Sequence, residues 1–139
     1  MDNTTSHWFK SHLRDVPRDE CFELLEGRQV GRVCFVDPDG PVALPVNYTI
    51  QDECVLIATS PHNSLSKHAV GQPVAFEVDE IDEYNENGWS VLVRGLASEV
   101  AHDDLPGEAQ RPNPWAEGNR TLVLRITPSQ VSGRYLLPG

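Results

Sequence analysis

Short stretches of alternating apolar residues, each closed by a turn sequence, restrict this chain to a fold built mainly of β-strands. In the clearest example Val42, Leu44 and Val46 alternate with smaller or polar residues. A period of two places such residues on one face of a strand. Comparable segments cover residues 30–36, 54–59, 74–78, 89–100 and 121–126, with a short return at 129–137. The pattern predicts six strands and no internal repeat.

Turn and helix signals separate these strands. The sequence Asp37-Pro38-Asp39-Gly40 supplies the preset and positive φ values of a tight turn. A helix is predicted from Pro17 to a stop at Gly27, and a second, short helix over residues 64–70. Residues 1–16 are expected to form an irregular or partly helical lead-in.

A chain of 139 residues has the common size of a single domain, and six short strands predict a small closed or nearly closed β-barrel. A barrel this narrow is filled by its own side chains, so a ligand would bind outside it. Pro45 cannot donate to a strand ladder, which predicts an edge or a bulge there. A homodimer with two-fold symmetry would cover that edge and enclose an external ligand.

Charge and hydropathy exclude several classes of protein. The chain carries 11 Lys and Arg against 21 Asp and Glu, a formal net charge of −10, which argues against nucleic-acid partners and anionic membranes. Its longest apolar run, residues 54–58, is far shorter than the ~20 residues of a membrane-spanning helix. The amino terminus lacks the features of a secretory signal, so a cytoplasmic location is expected.

Neither a metal site nor a catalytic motif is recognisable. Cys21, Cys34 and Cys54 are widely spaced and form no C-x-x-C pair, which predicts reduced, buried thiols. The five histidines show no H-x-x-x-H spacing, and G-x-S-x-G, Walker and G-x-G-x-x-G motifs are missing. Six acidic residues between positions 77 and 86 are interpreted as a solvated connection. The catalytic residues are therefore unknown from the sequence.

Two stretches are candidate binding segments. Residues 59–67 leave a strand with hydroxyl groups, contain Lys67 and enter a helix, whose amino terminus favours a phosphate; an ordinary helix capped by Asn63 or Ser64 is the alternative. Residues 87–95 place Trp89 at a strand entrance, where it could flank a planar ring or simply belong to the core.

Several segments together resemble one known family. Val46-Asn47-Tyr48 and the segments 71–79 and 88–95 closely resemble the pyridoxamine 5′-phosphate oxidase-like proteins, the FMN-binding split β-barrels. Residues 114–116 and 125–134 match the closing pattern of the small actinobacterial-type members. The resemblance covers most of the chain and implies a mostly β, six-stranded split β-barrel with a few short helices that forms a homodimer.

The resemblance also implies a cofactor site. FMN would lie in two grooves at the dimer interface, with Val46 and Asn47 along the isoalloxazine ring. Trp89 and Ser90 would lie nearby, from the same or the partner chain. The phosphate end would be held by Thr59, Ser60, Ser64 and Lys67.

The chain departs from the family pattern at the phosphate. Many relatives carry Arg at the position of Ala58 and Lys near Leu65, so Lys67 or an arginine from elsewhere must supply the positive charge here. Nitroimidazole-reductase relatives tend to carry His at the Ala58 position, and its absence argues against that activity.

The leading hypothesis is an FMN-dependent oxidoreductase that acts on a small organic substrate, with the flavin carrying the electrons or hydride. A non-catalytic flavin-binding or carrier module is one alternative. The same barrel binding deazaflavin or haem is another, with His62 or His68 as the candidate axial ligand for haem.

Overall fold

The part of the chain that the structure describes folds as one antiparallel sheet of seven strands that curls into a ring, accompanied by two helices. A computed structural model describes residues 12–118 and 120–138. The strands are β1 (His12–Val16), β2 (Val30–Asp37), β3 (Gly40–Gln51), β4 (Cys54–Thr59), β5 (Pro73–Asp82), β6 (Asn87–Glu99) and β7 (Leu122–Leu137). The helices are α1 (Arg18–Glu26) and α2 (Ser64–Ala69), with single 3₁₀ turns at His102–Asp104 and Glu108–Gln110.

Pairing between β6 and β7 closes the ring. The strands follow the order β1-β7-β4-β3-β2-β5-β6, and β6 then pairs with β7 from Gly88 opposite Leu136 to Glu99 opposite Leu124. Such closure leaves few backbone groups at free sheet edges. Within the described residues, neither helix has the length and apolar character that crossing a bilayer would require.

The six predicted strands are confirmed as β2 to β7, and a seventh strand precedes them. Residues 12–16, predicted to be irregular or partly helical, form β1 along the carboxyl-terminal part of β7. Four of its five residues are exposed, so β1 carries no apolar face that a pattern could reveal. Residues 1–11, the rest of the predicted lead-in, lie outside the described residues.

Strand β7 is continuous where a strand and a separate return were predicted. It runs through Pro128, which faces Gly95, and the register shifts between Arg94 and Gly95. Because proline donates no hydrogen bond, it is tolerated where the ladder is interrupted in this way. This irregularity allows β7 to pair with β6 on both sides of Pro128.

The interior of the ring is filled by apolar side chains, as expected for so narrow a barrel. Val33, Phe76 and Val93 are fully buried and belong to the main core cluster. Helix α1 adds Leu25 to this core. The hydroxyl of Tyr48 donates a hydrogen bond to the Leu25 carbonyl, which fastens the helix to β3.

Strands β3 and β4 are paired over only part of their length. Residues 48–51 of β3 face β4, whereas residues 40–47 pair only with β2 among the described strands. Pro45 lies in this half, where the second edge of β3 has no partner among the described strands, so its predicted edge position is confirmed. The sheet is therefore split between the first half of β3 and the end of β4.

The acidic segment is mostly strand, which corrects its interpretation as a solvated connection. β5 continues to Asp82, so only residues 83–86 form the turn to β6. The carboxylate of Asp82 accepts hydrogen bonds from the backbone and side-chain nitrogens of Asn85, and these bonds lower the Asp82 pKa. Glu77 and Asp79 flank the buried Val78, whereas residues 80–82 at the end of β5 are all exposed.

Gly95 is expected to be essential for closing the ring. A Cβ added there would lie 2.1 Å from the backbone oxygen of Thr127, so Gly95→Ala should destabilise the fold by about 1–3 kcal/mol, the usual cost of overpacking. Urea denaturation would measure it. In the control Gly27→Ala the new Cβ meets its nearest neighbour at 3.5 Å, and an equal loss in both variants would contradict the prediction.

Candidate functional site

A cavity of about 230 Å³ opens at the split between β3 and β4. β3 contributes Val46 and Asn47, and β4 contributes Ala58 and Thr59. Asn63 lines the cavity from the turn before α2, and the loop that leads into β7 adds Pro114, Ala116 and Arg120. The cavity therefore joins an apolar wall on β3 to a polar end at the close of β4.

The polar end is held in place by the cap of α2. The side-chain oxygen of Asn63 accepts a hydrogen bond from the Ser66 backbone N–H at 2.9 Å, so Asn63 is the helix cap that the sequence offered as one choice. Its amide nitrogen donates to the Thr59 hydroxyl at 2.7 Å. This bond uses a lone pair of the buried Thr59 oxygen, so it leaves the hydroxyl proton available to an acceptor in the cavity.

Asn47 fastens the loop that covers the cavity. Its side-chain oxygen accepts a hydrogen bond from the Trp115 backbone N–H at 2.8 Å, and its amide nitrogen donates to the Gln29 carbonyl at 3.4 Å. The Thr49 hydroxyl adds a bond of 2.7 Å to the carbonyl of Gln110. The covering loop is thus tied to β3 at two points.

Arg120 brings a positive charge to the cavity, and sequence reasoning did not find it. The Nε atom of Arg120 is buried, and no described residue accepts a hydrogen bond from it. Leu122 pairs with Thr59, so the register of β7 delivers the residues just before it to the end of β4. The only signal in the sequence was the general expectation that an arginine from elsewhere would replace the charge missing at Ala58.

The other residues predicted for the phosphate end lie beside the cavity. Ser60 accepts a hydrogen bond from the backbone N–H of His62, and Ser64 donates to the carboxylate of Asp37 at 3.4 Å. Lys67 is exposed on α2. The structure therefore brings Val46, Asn47 and Thr59 together, with Ser60, Ser64 and Lys67 on the adjoining turn and helix.

Trp89 and Ser90 form a separate group in one chain. They lie at the start of β6, where Trp89 faces Glu80 of β5 and Tyr135 of β7. The half-buried indole packs against the main core and borders an acidic hollow formed by the β5–β6 hairpin. A single chain does not unite these two residues with the cavity at the split.

The outer face of the sheet carries an apolar groove of about 840 Å³ across β2, β5, β6 and β7. Leu96 projects into it and is 51% exposed. Cys34 also lines the groove and, like Cys54, is half-buried, so of the three thiols predicted to be buried only Cys21 is fully so. The described residues hold no group of His, Cys, Asp and Glu that could bind a metal.

Beside this groove Arg32 faces two carboxylates of β5. Its Nη1 lies 3.7 Å from an oxygen of Glu77 and 3.7 Å from an oxygen of Asp79, beyond ordinary hydrogen-bond length. Burial raises the pKa of Glu77 to about 7, and the neighbouring Asp79 adds to the rise while Arg32 opposes it.

Comparison with known proteins gives one family for nearly the whole chain. The family model for pyridoxamine 5′-phosphate oxidase matches residues 17–135. The uncharacterized protein Rv0080 of Mycobacterium tuberculosis is 34% identical over 125 residues, which span 86% of this chain and 82% of the relative.

Solved structures share the fold over similar lengths. An FAD binding protein from Mycobacterium smegmatis is 27% identical with a TM-score of 0.70, covering 90% of this chain and 99% of that one. A putative pyridoxamine 5′-phosphate oxidase from Corynebacterium glutamicum is 27% identical with a TM-score of 0.73, covering 91% and 95%. An FAD-binding protein from Mesorhizobium loti is 25% identical with a TM-score of 0.70, covering 90% and 97%.

The raised pKa of Glu77 predicts a pH-dependent effect of Glu77→Gln on stability. Between the ordinary value of 4.5 and about 7 the folded protein holds a proton that the unfolded chain has lost, so wild-type stability falls as pH rises through this window. Glutamine is neutral throughout, so the variant should gain stability over wild type as pH rises from 4.5 to 7.

Urea denaturation across this pH range would measure the difference. Glu99→Gln, at the exposed end of β6, is the control. A gain in stability for Glu77→Gln that does not change with pH would contradict the raised pKa of Glu77.

Proposed function

This chain belongs to the pyridoxamine 5′-phosphate oxidase-like family, and on that premise we propose that it is a flavin-dependent oxidoreductase. It would carry FMN at the split of its barrel, act on a small organic substrate and work as a homodimer. The observation that carries the proposal is the cavity that gathers Val46, Asn47 and Thr59 at one place in the fold. These are residues on which the family resemblance had placed the cofactor.

The lining of the cavity fits both ends of a flavin. Leu44, Pro45 and Val46 offer an apolar wall to a flat ring, whereas Thr59 and Arg120 offer hydrogen-bond donors to an anion. The solved relatives from Mycobacterium smegmatis and Mesorhizobium loti are FAD-binding proteins of the same fold, which supports a flavin. The choice of FMN over FAD follows the family resemblance described above.

The flavin would supply the redox chemistry, and the protein would position it. Asn47 would hold the covering loop through its hydrogen bond with the Trp115 backbone. The loop would then limit the access of water to the side of the cavity where the flavin ring binds. The amide of Asn63 orients the hydroxyl of Thr59 at the anionic end. No side chain of this chain has to act as a general base.

A second copy of the chain would complete the site. The exposed Val36 and Leu96 leave an apolar outer face on the sheet, which two-fold association would bury. Trp89 and Ser90, which lie apart from the cavity in one chain, would then face the flavin of the partner. The homodimer proposal thus accounts both for the apolar face and for the two separate groups of predicted site residues.

The visible spectrum of the purified protein tests the flavin directly. We expect a bound flavin, identified as FMN after denaturation, that NADH or NADPH reduces and an organic acceptor reoxidises faster than free flavin. Bound flavin without turnover would indicate a carrier. A colourless protein that takes up neither FMN nor FAD would overturn the proposal, and a deazaflavin or haem spectrum would replace its cofactor.

Leu96→Glu tests the homodimer. A carboxylate on the apolar outer face should convert the dimer to a monomer and weaken FMN binding at least tenfold, because burying an unpaired charge is costly. Sedimentation equilibrium and a flavin titration would measure the two effects. Leu13→Glu, on a residue of β1 that is 64% exposed, is the matched control, and a wild-type monomer at micromolar concentration would refute the dimer.

A further inference from the structure

The side chain of Arg120 contains a polar group without a partner in the described part of the chain. Its Nε is buried, yet no described acceptor lies within hydrogen-bonding distance. A buried donor that has lost its water and found no partner carries a free-energy cost, so native proteins rarely retain one. Arg120 also lines the cavity at the split, so it is the positively charged residue placed to meet an anion bound there.

Resting on the proposed flavin function, we propose that Arg120 binds the phosphate group of the flavin next to its ribityl chain. An arginine side chain presents a planar fork of N–H donors that matches two phosphate oxygens at once. The Nε itself is closed to solvent, so the terminal Nη groups of the fork would make these contacts. The ligand chemistry is therefore that of a phosphate ester.

The backbone places Arg120 where a phosphate would meet further donors. The register of β7 sets Leu122 opposite Thr59, which brings the residues preceding β7 to the end of β4. There the Thr59 hydroxyl, held by Asn63 at 2.7 Å, keeps its own proton for an acceptor. One cation and one oriented hydroxyl thus line the same end of the cavity.

Arg120 also supplies the local positive charge that a strongly acidic chain needs in order to bind a phosphate. With a formal net charge of −10, the protein repels a phosphate at long range and must attract it locally. Lys67, the cation proposed from the sequence, is exposed on α2 and lies outside the cavity lining, whereas Arg120 lies within it. Desolvation makes a charge in the cavity more effective than one in water.

Arg120→Gln is the central experiment, with FMN and riboflavin as paired ligands that differ only in the phosphate. We expect the dissociation constant for FMN to rise about 10- to 100-fold, as for the loss of a charge-assisted hydrogen bond, while that for riboflavin stays within about twofold. Arg18→Gln removes the same charge from an exposed pair with Glu53, at the opposite end of β4, and should change neither value.

The apo protein supplies an independent readout. Because the Nε of Arg120 lacks a partner without ligand, apo Arg120→Gln should unfold at the same temperature as wild type or at a higher one. Millimolar inorganic phosphate should raise the unfolding temperature of apo wild type and not that of the variant. Arg120→Lys, which keeps the charge and loses the fork, should bind FMN with intermediate affinity.

Each outcome gives a distinct answer. An equal loss of FMN and riboflavin affinity, no loss at all, or a variant that unfolds at a lower temperature than wild type would overturn the role of Arg120. Wild type that binds neither flavin would overturn the proposed function instead. If it still gained stability from phosphate through Arg120, the anion site would stand without the flavin.

Discussion

The double pairing of β7 is the constraint on which the rest of this molecule depends. One edge of β7 pairs with β6 to close the ring, and the other pairs with β4 and then with β1. The register that closes the core also sets Leu122 opposite Thr59, so the loop before β7 has to end at the split in the sheet. The candidate site is therefore a consequence of barrel closure, because the strand pairing that closes the core also brings Arg120 to the end of β4 beside Thr59.

The sequence predicted those parts of the fold that local patterns record. Alternating apolar residues identified β2 to β7, and Pro45 correctly indicated an unpaired edge, because both signals act within one strand. β1 was missed because it is mostly exposed and exists by virtue of its partner β7. The acids of β5 were assigned to a connection because charge on the outward positions of a strand looks the same as charge in a solvated loop.

In the candidate site, too, local motifs identified some residues and missed those that are placed by contacts between distant segments. Val46 and Asn47 were found through a family motif within β3 and Thr59 through the segment that joins β4 to α2, and the structure brings the three together. Arg120 was missed because its place in the cavity depends on a pairing between β4 and β7, which no short motif encodes. The position of Trp89 relative to the cavity is also not encoded in a short motif. In the proposed homodimer it would be set by contacts with the second chain.

Pro45 has a further consequence for the behaviour of the chain in solution. A sheet that keeps one edge open to admit a ligand exposes backbone groups on which other chains could build, and such edges are a common origin of aggregation. Proline presents no N–H at that edge, and the loop fastened through Asn47 to Trp115 covers part of what remains. A strand added at this edge would therefore find no donor at Pro45, so the open half of β3 is a poor template for pairing with other chains.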